Sequence, residues 1–571
     1  MLTRSYVSVT VVMSTATSQP SCRSARRASA ESFPPLHASA TLRRFCGRPS
    51  LNTLASMALT TAVSLTGDDL TIGDVWAVAV EGAGAELADD GRRKLAAARA
   101  LVERVAQAGE GEHTYGINTG FGRFVSKTIP GELAAELQLR LLRSHACGVG
   151  DPYPPEIVRA AMLLRANTLA KGYSGAKPAT VDLLLTCLNR GVVPIVPSRG
   201  SVGASGDLAP LAHLALPLVG EGRASFEGED LSGADALARA GLEPVRLEAK
   251  EGLSLINGTQ FMAAAGALAL VRGRRLAQAA DIACALSLEA LQGSRTSFLP
   301  EIHALRPLAG QQASAANVVR LLDGSAILEA HRWCDKVQDA YSLRCAPQVH
   351  GACRDLLAYA EATVAVELNA ATDNPLVLVE LDELVSNGNF HGQPLAFALD
   401  VSAMALAELA SISERRVERL TNPSLSDGLP AFLTHDGGLN SGFMIPQYVA
   451  AALVSENKVL CHPAGVDSIP TSAGQEDHVS MGNTSGLKCL QVLANAERAL
   501  AIELLAGAQA VEFLAPLEPG AGVRAAHDFI RSLSATVFED RQLSDDIERV
   551  AQAIRHGELT AAVEREVGPF G

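Results

Sequence analysis

The chain has 571 residues, of which 48% are hydrophobic, 19% are charged and only 4% are aromatic. That length and apolar content predict a large globular protein whose core is built mainly from Ala, Leu and Val. The net charge is −14 at pH 7. This excludes nucleic acid and an anionic membrane surface as main partners, because both require a concentrated positive surface.

The ten cysteines and the apolar runs exclude further classes of protein. No two cysteines have CxxC spacing and no His-rich cluster accompanies them, so we expect neither a metal site nor a small disulfide scaffold. Cysteines of this kind are typical small buried hydrophobes in a reducing compartment. No uninterrupted apolar run reaches the ~18 residues that would cross a bilayer, so we expect no membrane anchor.

The first 56 residues differ in composition from the rest of the chain. They contain seven Arg, no Lys and one acidic residue, Glu31, together with many Ser, Ala and Thr. This composition is typical of an organellar transit peptide, and equally of an upstream region translated from a start codon assigned too early. We favour the second interpretation, with Met57 as the start, because no amphipathic period is clear. We expect residues 1–56 to be disordered.

From about Leu70 the chain has the pattern of successive helices. The run ELADDGRRKLAAARALVERVAQAG has helical apolar spacing and stops at a Gly, whereas HTYGINTGFGRFVSK has the glycine content of an irregular loop. The later run GTQFMAAAGALALVRGRRLAQAADIACALSLEALQG predicts a helix far longer than the globular average. With no internal repeat and no long linker after residue 57, the pattern predicts a mainly α fold.

Short loops between these helices contain polar groups among apolar neighbours. Any one of them fits a helix cap, a loop hydrogen bond or a surface charge. Together they supply an Arg for a carboxylate, amides for polar substrate atoms, a tyrosine for proton transfer and a carboxylate. The chain lacks a Walker loop, a Rossmann GxGxxG, an HExxH and a GxSxG elbow. The polar loop residues are Asn257, Gln260, Gln338, Tyr341, Arg344, Asn387, Asn389, His391, Gln475, Glu476, Asp477 and His478, and the apolar Phe390 lies among them.

One further loop, SRGSVGASGDLAPLAH from Ser198 to His213, resembles the signature of the aromatic amino acid ammonia-lyases. The motifs YGINTGFG, NGTQ, YSLRCAPQVHG, TDNPL, GNFHGQ and QEDHVSMG also resemble those of the family. They occur in family order and cover nearly all of residues 57–571. The chain is therefore identified as a member of that family.

The resemblance implies that Ala204, Ser205 and Gly206 cyclise into 4-methylideneimidazol-5-one (MIO), with no external cofactor. The Gly206 nitrogen would close a ring on the Ala204 carbonyl carbon, a bend that side chains at either end would hinder. Loss of the Ser205 hydroxyl would leave an electrophilic methylene, which no standard side chain provides. Such a group helps a poor leaving group, an amine, to depart.

The resemblance also implies roles for individual residues. Tyr115 would be the catalytic base, with its pKa lowered from ~10 by nearby positive charge or dipoles. Arg344 would hold the substrate carboxylate, and Asn257 would bind near the amino group and MIO. Tyr341 would support MIO and proton movement. The pocket would be lined by Gln338 and Phe390.

Three positions resemble the histidine-specific branch of the family. Ser144-His145 stands where phenylalanine-specific relatives have Phe-Leu and tyrosine-specific ones have His-Leu. Met444 stands where the phenylalanine branch has Lys. Glu476 would offer a carboxylate to a substrate imidazole opposite His145. The implied reaction is L-histidine to trans-urocanate and ammonia, the first step of histidine degradation. One departure is Gly474, where Asn is expected, and it puts the shape of that loop in doubt.

The family further implies a cytoplasmic homotetramer whose active sites are each assembled from three chains. It implies a smaller MIO-bearing N-terminal lobe, residues 57–260, followed by a long central helical bundle with C-terminal helices, residues 261–571. Two alternatives stay open: a phenylalanine or tyrosine ammonia-lyase or aminomutase of the same family, and a catalytically silent helical scaffold.

Overall fold

A computed structural model describes residues 62–107, 116, 117, 119, 127, 129–333 and 336–571. The expectations for residues 1–56 and for Tyr115 lie outside the described residues. All described residues belong to one compact unit, Leu59–Gly571.

Helices make up most of the described chain, so the expected mainly α fold is confirmed. In chain order, they are α1 (Ile72–Ala79), α2 (Asp89–Gln107), α3 (Ala134–His145), α4 (Pro155–Ala170), α5 (Pro178–Arg190), α6 (Leu208–Ala215), α7 (Gly233–Arg239), α8 (Glu251–Ile256), α9 (Gln260–Ala290), α10 (Pro300–Ala304), α11 (Ala309–Leu321), α12 (Ala326–Ala330), α13 (Tyr341–Arg344), α14 (Ala346–Glu367), α15 (Gln393–Thr421), α16 (Met444–Leu460), α17 (Gly482–Glu512), α18 (Ala521–Leu533), α19 (Ser544–His556) and α20 (Glu558–Val567).

The described strands are short and pair in four small sheets. β1 pairs in parallel with β2, β3 pairs with β5, β6 lies between β4 and β7, and β8 pairs with β9; the last three sheets are antiparallel. They are β1 (Val63–Leu65), β2 (Ala85–Leu87), β3 (Val149–Pro152), β4 (Val193–Pro194), β5 (Pro197–Arg199), β6 (Arg223–Phe226), β7 (Glu229–Ser232), β8 (Leu376–Leu378) and β9 (Glu383–Val385).

The core lies among the long helices α9, α14, α15 and α17, which pack on one another along their lengths. Most residues of α9 and α17 are buried, on every side of each helix. Their alanines let neighbouring helices approach closely while leucines fill the remaining space. The expected long helix is confirmed as α9, which runs for 31 residues.

One described helix, α15, is long and apolar enough to cross a bilayer by length and composition. In its most apolar window, however, 67% of the residues are buried against the rest of the protein. A core helix of a large bundle has this same combination of length and apolar surface. Its burial among the other helices accounts for its composition.

Candidate active site

The loop that carries Ala204, Ser205 and Gly206 lies between β5 and α6. Gly206 has a φ of +73°, and a Cβ added there would lie 2.1 Å from the carbonyl oxygen of Gly258. The next residue, Asp207, donates its backbone N–H to that same carbonyl at 2.7 Å. Both the left-handed backbone and the close approach exclude a side chain at position 206.

Asp207 fixes this loop to the start of α9. Its buried carboxylate accepts the backbone N–H of Met262 at 2.9 Å and the hydroxyl of Ser201 at 3.0 Å. Burial raises the pKa of Asp207 to about 7, against the opposing effect of these hydrogen bonds. Its role is not predictable from the sequence, because an Asp immediately before a helix looks like an ordinary N-cap. The Asp207 side chain makes no capping bond to α6.

The N-terminal ends of three long helices meet at this loop. Met262, in the first turn of α9, packs directly against Gly392, just before α15, and against Gly482, the first residue of α17. Ser480 donates its hydroxyl to the Gly203 carbonyl at 3.3 Å. The N–H groups of a helix N-terminus carry partial positive charge. The loop therefore lies in a field that draws electrons away from any electrophile formed there.

Glu476 faces Ser205 from the loop before α17. Its Oε1 accepts the Ser205 hydroxyl at 3.5 Å, and its Oε2 accepts the Thr471 hydroxyl at 2.7 Å. The backbones of Thr471 and Glu476 also pair with each other. Gly474, the departure from the family pattern, has a φ of +84°, which both Gly and Asn tolerate. The substitution is thus compatible with this turn.

His145 is the last residue of α3 and lies within electrostatic range of Glu476. Its Nδ1 lies 2.9 Å from the carbonyl oxygen of Leu141. Because a carbonyl can only accept, Nδ1 carries the proton, and in the neutral ring Nε2 is left as an acceptor. Burial lowers the pKa of His145, although the Leu141 hydrogen bond and the charge of Glu476 oppose the shift. The ring is therefore suited to accept a hydrogen bond.

Asn257 follows α8, next to the glycine that contacts Gly206. Its side chain is 3% exposed, and its backbone carbonyl accepts from Arg165 Nη1 at 2.7 Å. Its Oδ1 has no hydrogen-bond partner among the described residues. An unpaired buried acceptor costs about 1–3 kcal/mol, and a substrate donor would satisfy it.

Phe390 and His391 precede α15 at this same end of the bundle. His391 Nε2 donates to the His478 carbonyl at 3.3 Å, and the two imidazoles stack with centroids 5.7 Å apart. Phe390 is half-buried. Phe390 and His391 therefore lie beside Gly392, at the N-terminal end of α15.

Gln338, Tyr341 and Arg344 form a separate group, which we call the arm. Arg344 donates from Nε to the Asp339 carbonyl and from Nη2 to Gln338 Oε1, both at 3.0 Å. Its guanidinium lies 4.5 Å from the centroid of the Tyr341 ring. The Tyr341 side chain is 72% exposed. The arm thus presents a cation and a phenol at the surface of the chain.

The arm lies at the C-terminal end of α9. Lys336 Nζ donates to the Leu291 carbonyl at 3.0 Å, and Asp339 accepts the Ser294 N–H at 2.7 Å. At about 1.5 Å per residue, the path along α9 from Met262 to Leu291 spans roughly 40 Å. No side chain can cross that distance. One chain therefore brings Ser205, Glu476, His145 and Asn257 together, but not the arm.

Met444 is the first residue of α16. Like the arm, it lies at the end of the bundle away from Ser205. The preceding Phe443 donates its N–H to the Phe432 carbonyl at 2.9 Å. The adjacent Leu433 carbonyl accepts from Gln509 Nε2 at 3.4 Å, close to the C-terminus of α17. Since α17 begins beside Met262, Met444 lies far from Ser205 within the same chain.

Residues 70–532 match the family model for aromatic amino acid lyases. The chain is similar to the histidine ammonia-lyase of Gloeobacter violaceus, with 56% identity over 510 residues, 89% of this chain and 99% of that protein. Among solved structures, it resembles histidine ammonia-lyase from Trypanosoma cruzi (45% identity, TM-score 0.82, 89% and 96% coverage). It also resembles tyrosine aminomutase from Streptomyces globisporus (40%, 0.84, 89% and 99%). The chain belongs to the aromatic amino acid lyase family.

Proposed function

We propose that this protein is a histidine ammonia-lyase that converts L-histidine to trans-urocanate and ammonia. The observation that carries the proposal is the contact of Glu476 with the Ser205 hydroxyl, together with His145 within electrostatic range of the same carboxylate. An acceptor nitrogen and a carboxylate match the two N–H donors of a protonated imidazole ring. Curated histidine ammonia-lyases that are 50–56% identical to this chain support the same substrate.

We further propose that Ala204, Ser205 and Gly206 cyclise into MIO. The close approach at Gly206 and the three converging helix N-termini fit this group, because the first brings the backbone into a tight bend and the second draws electrons from it. When formed, MIO supplies an electrophilic carbon that turns the substrate amine into a better leaving group. The remaining steps depend on side chains that hold the substrate and move its protons.

The residues around the loop have the donors and acceptors that histidine needs. Asn257 Oδ1, unpaired in the described chain, would accept from the substrate amino group. His145 Nε2 would accept one N–H of the protonated substrate imidazole, and the Glu476 carboxylate would accept the other. Tyr115 remains the proposed base for the β-proton, with Phe390 packing beside the substrate.

The distance along α9 supports an active site shared between chains. Arg344, Tyr341 and Gln338 must come from another copy if they are to hold the substrate carboxylate near Ser205, and the same applies to Met444. Exposed apolar side chains on two helices give copies a surface on which to associate. They include Tyr359 and Val366 on α14, and Ile445, Tyr448 and Val459 on α16. We therefore propose a cytoplasmic homotetramer, with residues 57–260 as the MIO-bearing lobe of each chain.

The decisive experiment is turnover of a mixture of aromatic amino acids, followed by product analysis. Urocanate and ammonia are expected from histidine. Cinnamate, coumarate or β-amino acids as main products would favour the phenylalanine, tyrosine or aminomutase alternatives, and no product would favour a silent scaffold. The intact mass should be two water molecules below the encoded mass. In the Ser205→Ala variant, both this loss and most activity should disappear.

A further inference from the structure

Arg416 lies at the centre of the bundle, fully buried on α15. It forms a two-pronged ion pair with Glu503 of α17, whose shorter contact, between Arg416 Nε and Glu503 Oε1, is 2.5 Å. Ser287 of α9 donates its hydroxyl to the same carboxylate at 2.6 Å. Three core helices therefore meet at this ion pair.

Arg416 has one donor group directed outside this pair. Its Nη1 donates to the backbone carbonyl of Ser342 at 3.2 Å, and it lies 3.4 Å from Nε2 of His350. His350 is itself held through Nδ1 by the buried carboxylate of Asp281 at 2.8 Å. The position of Nη1 is thus fixed from two sides, by Glu503 and by the His350 ring.

Ser342 belongs to α13, the helix that begins at Tyr341 and ends at Arg344. A single turn of helix has little stability of its own, because nucleation fixes several dihedral angles for one hydrogen bond. Its orientation must come from tertiary contacts. Arg416 supplies such a contact, directly between the phenol and the guanidinium of the arm.

A buried ion pair is a poor source of stability, since the desolvation of two charges offsets most of their attraction. Apolar residues of similar volume would fill the same space with equal or greater stability. The pair is better explained by the orientation that it imposes.

We infer that Arg416 is a positioning residue for the lyase reaction: through the Ser342 carbonyl, it sets the direction in which Tyr341 and Arg344 project from the arm. This inference rests on the proposed function, which places both side chains in the active site of another copy. Arg416 itself touches no substrate.

The experiment uses full-length enzyme, with Arg416→Lys and the double variant Arg416→Met/Glu503→Leu. Lysine keeps the positive charge opposite Glu503 but lacks the planar fork that reaches two partners at once. The double variant removes both charges, so it should fold even if a lone buried Glu503 would not. Arg272→Lys is the matched control, because Arg272 also forms a two-pronged pair with α17, at 2.8 and 2.9 Å from Glu497. No contact among the described residues links Arg272 to the arm.

Binding measurements separate positioning from general damage. We expect the inhibition constant of imidazole propionate, which has a carboxylate for Arg344, to rise about tenfold or more in both Arg416 variants. That of histamine, which lacks the carboxylate, should stay within about twofold of wild type. Arg272→Lys should change neither constant, whatever its melting temperature.

Two outcomes would overturn the inference. One is an Arg416→Lys enzyme that binds both ligands as wild type does. The other is a pair of variants in which both ligands weaken equally, which is the result of a merely structural role. A wild-type enzyme without histidine turnover would instead contradict the proposed function, and the two failures are therefore distinguishable.

Discussion

Glu476 Oε1 lies 3.5 Å from the Ser205 hydroxyl, while its Oε2 is held by the Thr471 hydroxyl at 2.7 Å. The carboxylate is therefore fixed by one oxygen and free to act with the other. If Ser205 loses its hydroxyl in forming MIO, Oε1 loses this partner and faces the new electrophilic carbon. Glu476 Oε1, which accepts from the Ser205 hydroxyl before cyclisation, is thereby free to accept from a substrate donor.

Glu476→Gln should consequently lower kcat/KM for histidine by about 10- to 100-fold. The amide keeps the shape of the side chain but loses a charge-assisted hydrogen bond, a change of about 1.5–3 kcal/mol. Steady-state kinetics by urocanate absorbance give this value. The two-water mass loss should persist, since MIO formation does not need the charge. A variant that lacks the mass loss would place Glu476 in cyclisation rather than in substrate binding.

His145→Leu should lower the ratio of specificity constants for histidine over phenylalanine. The substrate histidine ring loses its hydrogen-bond acceptor, which should cost about 1–3 kcal/mol and lower kcat/KM for histidine roughly 10- to 100-fold. An apolar substrate ring should instead pack well against the leucine. Ser144→Ala removes the hydroxyl that lies 2.9 Å from His145 Nδ1 but keeps the acceptor Nε2, so it should change the ratio much less than His145→Leu does. An unchanged ratio in a protein of wild-type melting temperature would show that His145 only packs against the end of α3.

The bundle and most of the site loops could be predicted because their signals are local. Helical periodicity located α9 over nearly its full length, and glycine-rich motifs located the loop at Gly206. The separation of Arg344 from Ser205 could not be read from spacing, since it depends on α9 running straight between them. Asp207 and Arg416 were also missed. Each acts through partners that only the packed structure brings near: Met262 across the loop, and Glu503 across the bundle.

Mixed tetramers should recover activity that neither parent has. Ser205→Ala removes the electrophile and Arg344→Ala removes the carboxylate partner, so each variant alone should be nearly inactive. If the two groups come from different chains, random mixing leaves about one site in four with both intact. Co-expression with two affinity tags, purification of the doubly tagged tetramer and a urocanate assay provide the measurement. Mixing the separately purified variants without subunit exchange is the control, and activity no higher than that control would require both groups to act from one chain.

Glu289 is a buried residue near the end of α9 and outside the site. One oxygen accepts the N–H of Gly520 at 2.9 Å, and burial raises the pKa of the carboxyl to about 7 from an ordinary value of 4.5. Between those two values, the folded chain holds a proton that the unfolded chain has released. Stability from this group is therefore lost as pH rises from about 4.5 to 7, and it stays low above pH 7.

Glu289→Gln should remove this pH dependence, because the amide keeps an acceptor for Gly520 and never ionises. The free energy of unfolding of the variant should be close to that of wild type at pH 5. Above pH 7 it should exceed the wild-type value by up to about 3 kcal/mol. Melting temperatures of both proteins from pH 5 to 8.5 test this, with kcat for histidine as the check that the site is intact. Glu301→Gln, an exposed carboxylate on α10, is the control and should show no such trend. A difference between wild type and Glu289→Gln that is constant across the range would mean that Glu289 is ionised in the folded protein throughout.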